Sequence, residues 1–144
     1  MGTNDKSIGQ TAGYSGTPLA KKLGLKAGFN IRLINAPEGY FDLFTDLPIN
    51  LDLSDNESAK KDFIHFFVMN ENEYISKLPV LKKQIKPDGM IWVSWPKKAS
   101  KVNTDITENT IRSYAIQIGL VDIKVCAVNE IWSGLKLVIP VKER

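Results

Sequence analysis

The segment DGMIWVSWPKKASKVNTD, residues 88–105, decides how this chain folds. Its first half contains an apolar run at residues 90–95, which is typical of a buried strand. Its second half leaves that strand through a tryptophan, a proline and two lysines into a loop rich in hydroxyl and amide side chains. The pattern predicts that the chain before this segment forms the rest of a sheet, and that a helix and a hairpin after it complete that sheet.

Upstream segments have the same strand character. FNIRLIN at residues 29–35 and FIHFFVM at residues 63–69 are nearly continuous apolar runs, as expected of strands covered on both faces. Residues 49–53, INLDL, alternate between apolar and polar, which predicts a short strand near a sheet edge. Residues 40–44 predict a short helical segment after the first strand.

Helix signals lie between these strands. Thr17 and Gly24 fit the N-cap and C-cap of a short helix that precedes the first strand. Asn70 or Asn72 can cap a second helix, whose apolar residues recur at helical spacing. Pro79 falls inside that pattern and predicts a kink or a break, because proline lacks the backbone N–H that the helix needs.

The last third of the chain predicts a helix and two strands. Asp105 and Glu108 have the spacing of a capping box, and Gly119 is expected to end the helix that follows. Residues 121–127 alternate, and residues 132–139 return as a second strand, which predicts an antiparallel hairpin at the edge of the sheet.

Together these elements predict a small Rossmann-like α/β fold. Strands that alternate with helices favour a mainly parallel sheet inside a three-layer sandwich, here with a C-terminal antiparallel hairpin. Residues 1–13 are polar and are expected to be a flexible tail, and residues 14–144 a single domain.

Composition narrows the functional classes. The chain has 144 residues, 19 basic and 16 acidic side chains and a formal charge of +3, which does not indicate a nucleic-acid-binding protein. The single cysteine excludes a disulfide within the chain, so a cytoplasmic location is expected. No stretch is apolar enough to span a membrane, and the first residues lack the apolar run of a secretory signal.

The loops after two strands are the best place to look for a ligand. In open α/β sheets, ligands bind outside the carboxyl ends of the strands, and lysines, hydroxyls and a helix N-terminus suit an anion there. The predicted site for a small anionic or nucleotide-like ligand comprises Asn35, Pro37, Glu38, Trp95, Lys97, Lys98, Ser100 and Thr104. The alternative is that Asp105 caps the helix, that Glu38 supplies charge to a first helical turn, and that both lysines point into water.

Other motifs offer little chemistry. Tyr14, Ser15 and Thr17 could form a lid over the crevice, or could cap a helix. His65 lies in the most apolar strand and Cys126 has no base nearby, so both are predicted to be core residues. The sequence contains no nucleophile elbow and no phosphate-binding loop, and one cysteine with one histidine cannot build a zinc site.

Long motifs resemble a known family. Four segments are similar to a bacterial family of domains of unknown function, the one numbered 3052: GYSGTPLAKKLGL at 13–25, LINAPEGY at 33–40, PDGMIWVSWPKKASKVNTDITE at 87–108, and GLVDIKVCAVNEIWSGLKLVIP at 119–140. The resemblance implies no activity, catalytic residue or cofactor.

A more distant resemblance is to the second half of class I methyltransferases. It implies a fold that binds S-adenosylmethionine after its first strand, with Asp52 or Asp55 in the place of the acid that binds the ribose. Residues 35–39 hold one glycine where those enzymes have several, which argues against that cofactor. The second hypothesis is therefore a non-catalytic module that binds protein, including another copy of itself, along an open sheet edge.

Overall fold

The computed structural model describes residues 16–53 and 58–144 and contains a five-stranded sheet in the order β1-β2-β3-β5-β4. The strands are β1 (Ile31–Ile34), β2 (Lys61–Phe67), β3 (Ile85–Pro96), β4 (Val121–Ala127) and β5 (Trp132–Val138). The α-helices are α1 (Leu19–Leu23), α2 (Glu71–Lys82) and α3 (Glu108–Gln117), and 3₁₀ turns lie at Tyr40–Leu43, Lys98–Ser100 and Val141–Glu143. The predicted α/β class is confirmed, because parallel strands form the core and the C-terminal strands are antiparallel.

Strand direction brings the loops of interest to one edge. β1, β2 and β3 pair in parallel, whereas β5 is antiparallel to both β3 and β4. β4 therefore points the same way as β3. The antiparallel hairpin lies at one end of the sheet, as predicted, with β5 inside the sheet and β4 at its edge. The reason is burial, since Leu135 and Leu137 of β5 are fully buried whereas β4 contains no fully buried residue.

Helices α2 and α3 cover one side of the sheet, which we call the two-helix face. Ile64, Phe66 and Val93 point to this side and belong to the same apolar cluster as Leu78 of α2 and Ile111 of α3. All five side chains are completely buried. Burial of an apolar side chain of this size contributes about 1.5–3 kcal/mol, so this cluster is a major source of stability.

Helix α2 continues unbroken through Pro79, so the predicted break does not occur. Pro79 has no N–H to donate to the carbonyl of Ile75, four residues earlier. The Tyr114 hydroxyl of α3 donates to that carbonyl oxygen at 3.1 Å instead. The interhelical hydrogen bond replaces one that the helix cannot make by itself.

Shorter elements cover the opposite side, which we call the α1 face. Helix α1, the 3₁₀ turn Tyr40–Leu43 and the connecting loops lie over Phe63 and Trp92 of the central strands. The indole N–H of Trp92 donates to the carbonyl oxygen of Leu23 at 2.8 Å. Trp92 thereby fixes the C-terminal end of α1 to the middle of the sheet.

The N-terminus of helix α1 is capped by a residue that is distant in sequence. Thr17 was expected to be the N-cap residue. Pro18 occupies that position instead, and its side chain makes no capping hydrogen bond. The Asp46 carboxylate accepts hydrogen bonds from the N–H groups of Ala20 and Lys21 at 3.0 and 3.1 Å. The predicted C-cap is confirmed, because Gly24 adopts a left-handed conformation with φ of 81°.

Residues 49–53 do not form the predicted strand. Within them only Asp52 makes a bridge, in parallel with Asn30 at the start of β1. Asn50 has a positive φ of 60°, which interrupts the extended backbone that a strand requires.

The predicted alternation of β4 is also interrupted. A bulge lies between Asp122 and Lys124, and an extra residue in one strand reverses the side on which the later side chains lie. Ile123 and Val125 consequently remain 53% and 45% exposed. The sheet thus has an open, partly apolar edge at β4.

Candidate functional site

The loop after β3 is folded by its own hydrogen bonds. The Lys97 N–H donates to the carbonyl oxygen of Ile131 at 2.7 Å, which ties the end of β3 to the β4–β5 turn. The Ser100 hydroxyl donates to the carbonyl oxygen of Lys97 at 2.6 Å and accepts from the N–H of Val102 at 3.2 Å. Ser100 therefore builds the turn, and both lysines are held at its beginning.

The next residues connect this loop to α2. The Thr104 hydroxyl donates to the carbonyl oxygen of Met69 at 2.6 Å. The Asp105 carboxylate accepts from the N–H of Glu71, in the first turn of α2, at 2.8 Å. Asp105 was predicted to cap the helix that follows it, but it caps α2 together with Asn70, whose side chain accepts from Glu73.

Helix α3 starts two residues later than its predicted cap would place it. Thr107 is the N-cap, and its hydroxyl accepts from the N–H of Thr110 at 3.2 Å. The Glu108 carboxylate bonds to the Arg112 guanidinium, which also bonds to Asp122 of β4. Those interactions raise the pKa of Arg112 and lower the pKa of Asp122. These bonds join α3 to the start of β4.

A cleft lies between the end of β3 and the start of α3, and we call it the α3 cleft. Its volume is about 670 Å³. Four of the predicted site residues line it together: Trp95, Lys97, Lys98 and Thr104. Thr107 and Asn109 also line it and were not in the predicted site, because the helix start was assigned to Asp105. The structure thus brings together four of the five predicted site residues at and after the end of β3, whereas Ser100 does not line the cleft.

The rest of the predicted site lies at the end of β1. Asn35 has a positive φ of 58°, and its amide donates to the Phe67 carbonyl oxygen at 3.1 Å and to the Glu73 carboxylate at 2.9 Å. Pro37 is partly buried and Glu38 is exposed. None of these residues of the β1 loop lines the α3 cleft, since β2 separates β1 from β3. Asn35 connects β1, β2 and α2.

A buried polar chain crosses the α1 face. The Tyr40 hydroxyl lies 2.8 Å from Nδ1 of His65, and Nε2 of His65 lies 2.8 Å from the Ser94 hydroxyl. His65 and Ser94 are fully buried. Burial lowers the pKa of His65 to about 3 and raises that of Tyr40. His65 is thus a neutral core residue, as predicted, and no ligand at the strand ends can reach it.

Cys126 of β4 is partly buried and is a free thiol. Burial raises the pKa of its thiol, although Lys22 and Lys124 act in the opposite direction. A raised pKa reduces the thiolate fraction that a nucleophile needs. Cys126 therefore lacks the activation that covalent catalysis requires.

Within residues 16–53 and 58–144, no three or more His, Cys, Asp or Glu side chains are grouped so that they could hold a metal ion. No helix in those same ranges is long and apolar enough to span a membrane. Tyr14 and Ser15 of the predicted lid lie outside the described residues, whereas Thr17 lies just before α1.

Several solved structures with a similar fold are methyltransferases. A putative type 11 methyltransferase from Sulfolobus solfataricus matches with a TM-score of 0.59 and 14% identity, over 88% of this chain and 92% of that one. A precorrin-6y C5,15-methyltransferase from Geobacter metallireducens matches with a TM-score of 0.56 and 9% identity, over 84% and 85%. At such identities the likeness shows the fold alone.

A third similar structure contains ligands. The 1,6-didemethyltoxoflavin-N1-methyltransferase of Burkholderia thailandensis, with bound 1,6-didemethyltoxoflavin and S-adenosylhomocysteine, has a TM-score of 0.55 and 12% identity, over 83% of this chain and 73% of that one. No protein-family model and no curated protein matches the sequence. The resemblance to the family of unknown function therefore remains a prediction from its motifs, and the methyltransferase-like Rossmann fold is established.

Proposed function

We propose that this protein binds a small anionic or nucleotide-like ligand in the α3 cleft, at the carboxyl ends of the sheet strands. The observation that supports the proposal most is the convergence of Lys97, Lys98, Thr104 and the indole of Trp95 on one cleft. Two ammonium groups supply charge, and the aromatic ring supplies an apolar wall for a flat group. Asn109 adds a side-chain amide at the same wall.

The start of α3 contributes to anion binding in this proposal. Backbone N–H groups in the first turn of a helix carry partial positive charge. Thr107 accepts from only one of them, that of Thr110. Lys97 and Lys98 line the same cleft as this helix end, so a phosphate or carboxylate there would meet both ammonium groups and the helix N–H groups. The Glu108 carboxylate also lines the cleft, and the Arg112 guanidinium pairs with it.

We propose further that S-adenosylmethionine is not the ligand. The loop after β1 in methyltransferases needs several glycines, so that the backbone can approach the cofactor. Here residues 35–39 contain a single glycine, Gly39, and the Asn35 amide already spans from β1 to Phe67 of β2 and Glu73 of α2. These residues do not fit that cofactor, so we assign no methyl-transfer step to the protein.

The test is thermal melting of the protein with phosphate, ATP, NAD, S-adenosylmethionine or S-adenosylhomocysteine. A ligand at about 100 times its dissociation constant stabilises the fold by about 2.7 kcal/mol, which raises the melting temperature by several degrees. Lys98→Glu should abolish the rise for a ligand of the α3 cleft. Lys101→Glu is the matched control, because Lys101 is exposed in the same loop but does not line the cleft.

Two outcomes would contradict the proposal. An equal loss in Lys98→Glu and Lys101→Glu would mean that only the general charge of the loop matters. A rise with S-adenosylmethionine that survives Lys98→Glu would place a cofactor near β1 and would overturn the statement about that ligand. Asn35→Ala should then reduce the rise, because Asn35 lies at the end of β1.

The alternative, a protein-binding module, has its surface at β4. Ile123 and Val125 expose apolar area along that open edge, where a second copy of the chain could pair. The bulge between Asp122 and Lys124 opposes continuous pairing, since bulges and edge lysines protect strand edges. Sedimentation over a range of concentrations decides between these. A dimer that Ile123→Lys dissociates would favour the alternative, and a monomer would exclude self-association.

A further inference from the structure

Two further clefts lie around α1, on the other side of the end of β3. One has a volume of about 440 Å³ and reaches from Lys97 and the β4–β5 turn to the start of α1. The other has a volume of about 410 Å³ and lies between α1 and β4. Both are lined by Thr17, Lys22 and Ala127. The two clefts therefore meet at α1 and form one surface, which we call the α1 groove.

Positive charge dominates the α1 groove. Four lysines line it: Lys22 lines both clefts, Lys97 lines the larger one, and Lys21 and Lys124 line the smaller one. The only carboxylate among its lining residues in the described chain is that of Glu130. The nearby Asp46 is already engaged by the two backbone N–H groups at the start of α1.

These lysines have no acidic partners within residues 16–53 and 58–144. The ion pairs of those ranges involve Lys77, Lys86 and Arg112. Behind the groove, Lys26 and Lys136 add further ammonium groups on the same face. Burial lowers the pKa of Lys136, and the charges of Lys124 and Lys26 lower it further. Lys124 and Lys26 thus repel Lys136, and an anion bound beside Lys124 would reduce that repulsion.

The groove is apolar at its other end. Pro18, Leu19 and Leu43 form one wall, and Val128 and Ile131 form the other. Hydroxyl and amide groups from Thr45 and Asn129 lie beside this apolar part. An apolar wall with a few polar groups suits a flat heterocycle or similar group, whereas the lysine-lined end suits phosphates.

The walls of the groove are held in place by defined hydrogen bonds. The Lys22 ammonium donates to the carbonyl oxygen of Ala127 at 3.0 Å, which joins α1 to the end of β4. The Asn129 side chain accepts from the N–H groups of Ile131 and Trp132 at 2.9 and 2.8 Å, which shapes the β4–β5 turn. A surface ordered before binding loses less entropy when the ligand arrives.

We propose that the α1 groove binds a soluble ligand that joins a flat apolar group to two or more phosphates, as in a nucleoside polyphosphate. The phosphates lie along Lys21, Lys22 and Lys124, and the apolar group lies against Pro18, Leu43 and Ile131. This site is separate from the α3 cleft, and Lys97 is the only charged residue that lines both.

The test uses the full chain and measures binding of ATP, tripolyphosphate and adenosine by calorimetry. ATP should bind, tripolyphosphate should bind more weakly because it lacks the apolar group, and adenosine should bind weakest because it lacks the charges. Lys22→Glu with Lys124→Glu should weaken ATP binding by about tenfold or more. Lys83→Glu with Lys142→Glu makes the same change in charge, on residues that line neither the groove nor the α3 cleft, and should leave binding nearly unchanged.

The single cysteine gives a local readout. Cys126 is the only cysteine of the chain and lines the groove, so its reaction with iodoacetamide reports on this place alone. ATP should slow that reaction several-fold in the natural chain, and not in the Lys22→Glu, Lys124→Glu variant. If that variant fails to fold, Lys124→Glu alone serves, because the Lys124 side chain is exposed and makes no hydrogen bond to another described residue.

Other results would overturn the inference in distinguishable ways. Loss of ATP binding in Lys98→Glu, with no loss in the groove variants, would support the α3 cleft and exclude the α1 groove. Equal losses in the groove and control pairs would indicate attraction by net charge only. Undetectable binding at millimolar ATP, or unchanged Cys126 reactivity with bound ATP, would also exclude the groove, whatever happens at the α3 cleft.

Discussion

The two faces of the sheet are covered by different means. On the two-helix face the covering elements are helices of 12 and 10 residues, and the buried strand residues beneath them are apolar. On the α1 face the covering helix has five residues, and the rest of the cover is loop and 3₁₀ turn. The same strands bury His65 and Ser94 on that side.

The difference follows from how backbone groups are satisfied. A long helix pairs most of its own N–H and C=O groups, so it can cover a sheet with apolar side chains alone. Loops and a short helix leave more of these groups unpaired, and the α1 face supplies partners through Trp92 and Asp46. A few specific hydrogen bonds therefore hold the α1 face, and loss of one should open it locally.

The largest effect is expected from Trp92→Ala. Loss of a fully buried tryptophan should lower the free energy of unfolding by about 3–5 kcal/mol, and it also removes the donor to Leu23. Chemical denaturation measures the first effect, and hydrogen exchange of the α1 amides the second. Ile91→Ala empties a buried position of the two-helix face and should lower stability without selective exposure of α1. Equal α1 exchange in the two variants would contradict the separation of the faces.

A loss of stability of about 2 kcal/mol with falling pH is expected on the α1 face. The folded pKa of His65 is about 3, compared with 6.5 for the ordinary side chain. Between these values the unfolded chain binds a proton that the folded chain excludes, so stability is full above pH 6.5 and decreases as the pH falls. The slope should approach about 1.4 kcal/mol per pH unit below pH 6.5, which gives a loss of about 2 kcal/mol between pH 6.5 and 4.5. His65 is the only histidine, so urea denaturation of His65→Gln between pH 6.5 and 4.5 should show little of this slope.

The polar chain on the same face should show strong coupling. His65→Leu leaves the Tyr40 and Ser94 hydroxyls without their partner, at a cost of about 1–3 kcal/mol for each buried group left unpaired. Adding Tyr40→Phe removes one of those unpaired hydroxyls, so the double variant should be more stable than the sum of the two single changes predicts. If the two single losses of unfolding free energy simply add up in the double variant, Tyr40, His65 and Ser94 do not form a connected network of hydrogen bonds.

The smallest effect is expected on the two-helix face. Tyr114→Phe removes the donor to the Ile75 carbonyl oxygen and should cost about 0.5–1.5 kcal/mol. In a Pro79→Ala background the helix can supply its own N–H to that carbonyl, so the same change should cost less. A cost that is identical in both backgrounds would show that Tyr114 does not compensate for Pro79.

Residues close in sequence allowed most of the fold to be predicted. Continuous apolar runs located β2 and β3, and Gly24 and Asn70 marked helix ends, because those signals depend on neighbours along the chain. The caps supplied by Asp46 and Asp105 could not be predicted, because each carboxylate caps a helix that is distant from it in sequence. Asp46 caps α1, and Asp105 caps α2.

The candidate sites divide in the same way. Trp95, Lys97, Lys98 and Thr104 lie within ten residues of one another and follow one strand, so the strand-end rule located them in one cleft. Lys22 and Lys124 are far apart in sequence and meet only because α1 lies beside the edge strand β4. The predicted alternation of β4 gave no sign of its bulge, which depends on pairing with β5.

The position of β5 has a consequence for the order of folding. β5 is made after β4, yet it lies between β3 and β4. During synthesis from the N-terminus, β3 therefore keeps an unpaired apolar edge until residues 132–138 have left the ribosome, and β4 cannot reach its place before then. A nascent chain paused before Trp132 should expose the unpaired edge of β3, to which other chains can add a strand. We therefore expect this protein to need protection from aggregation late in its translation and not early.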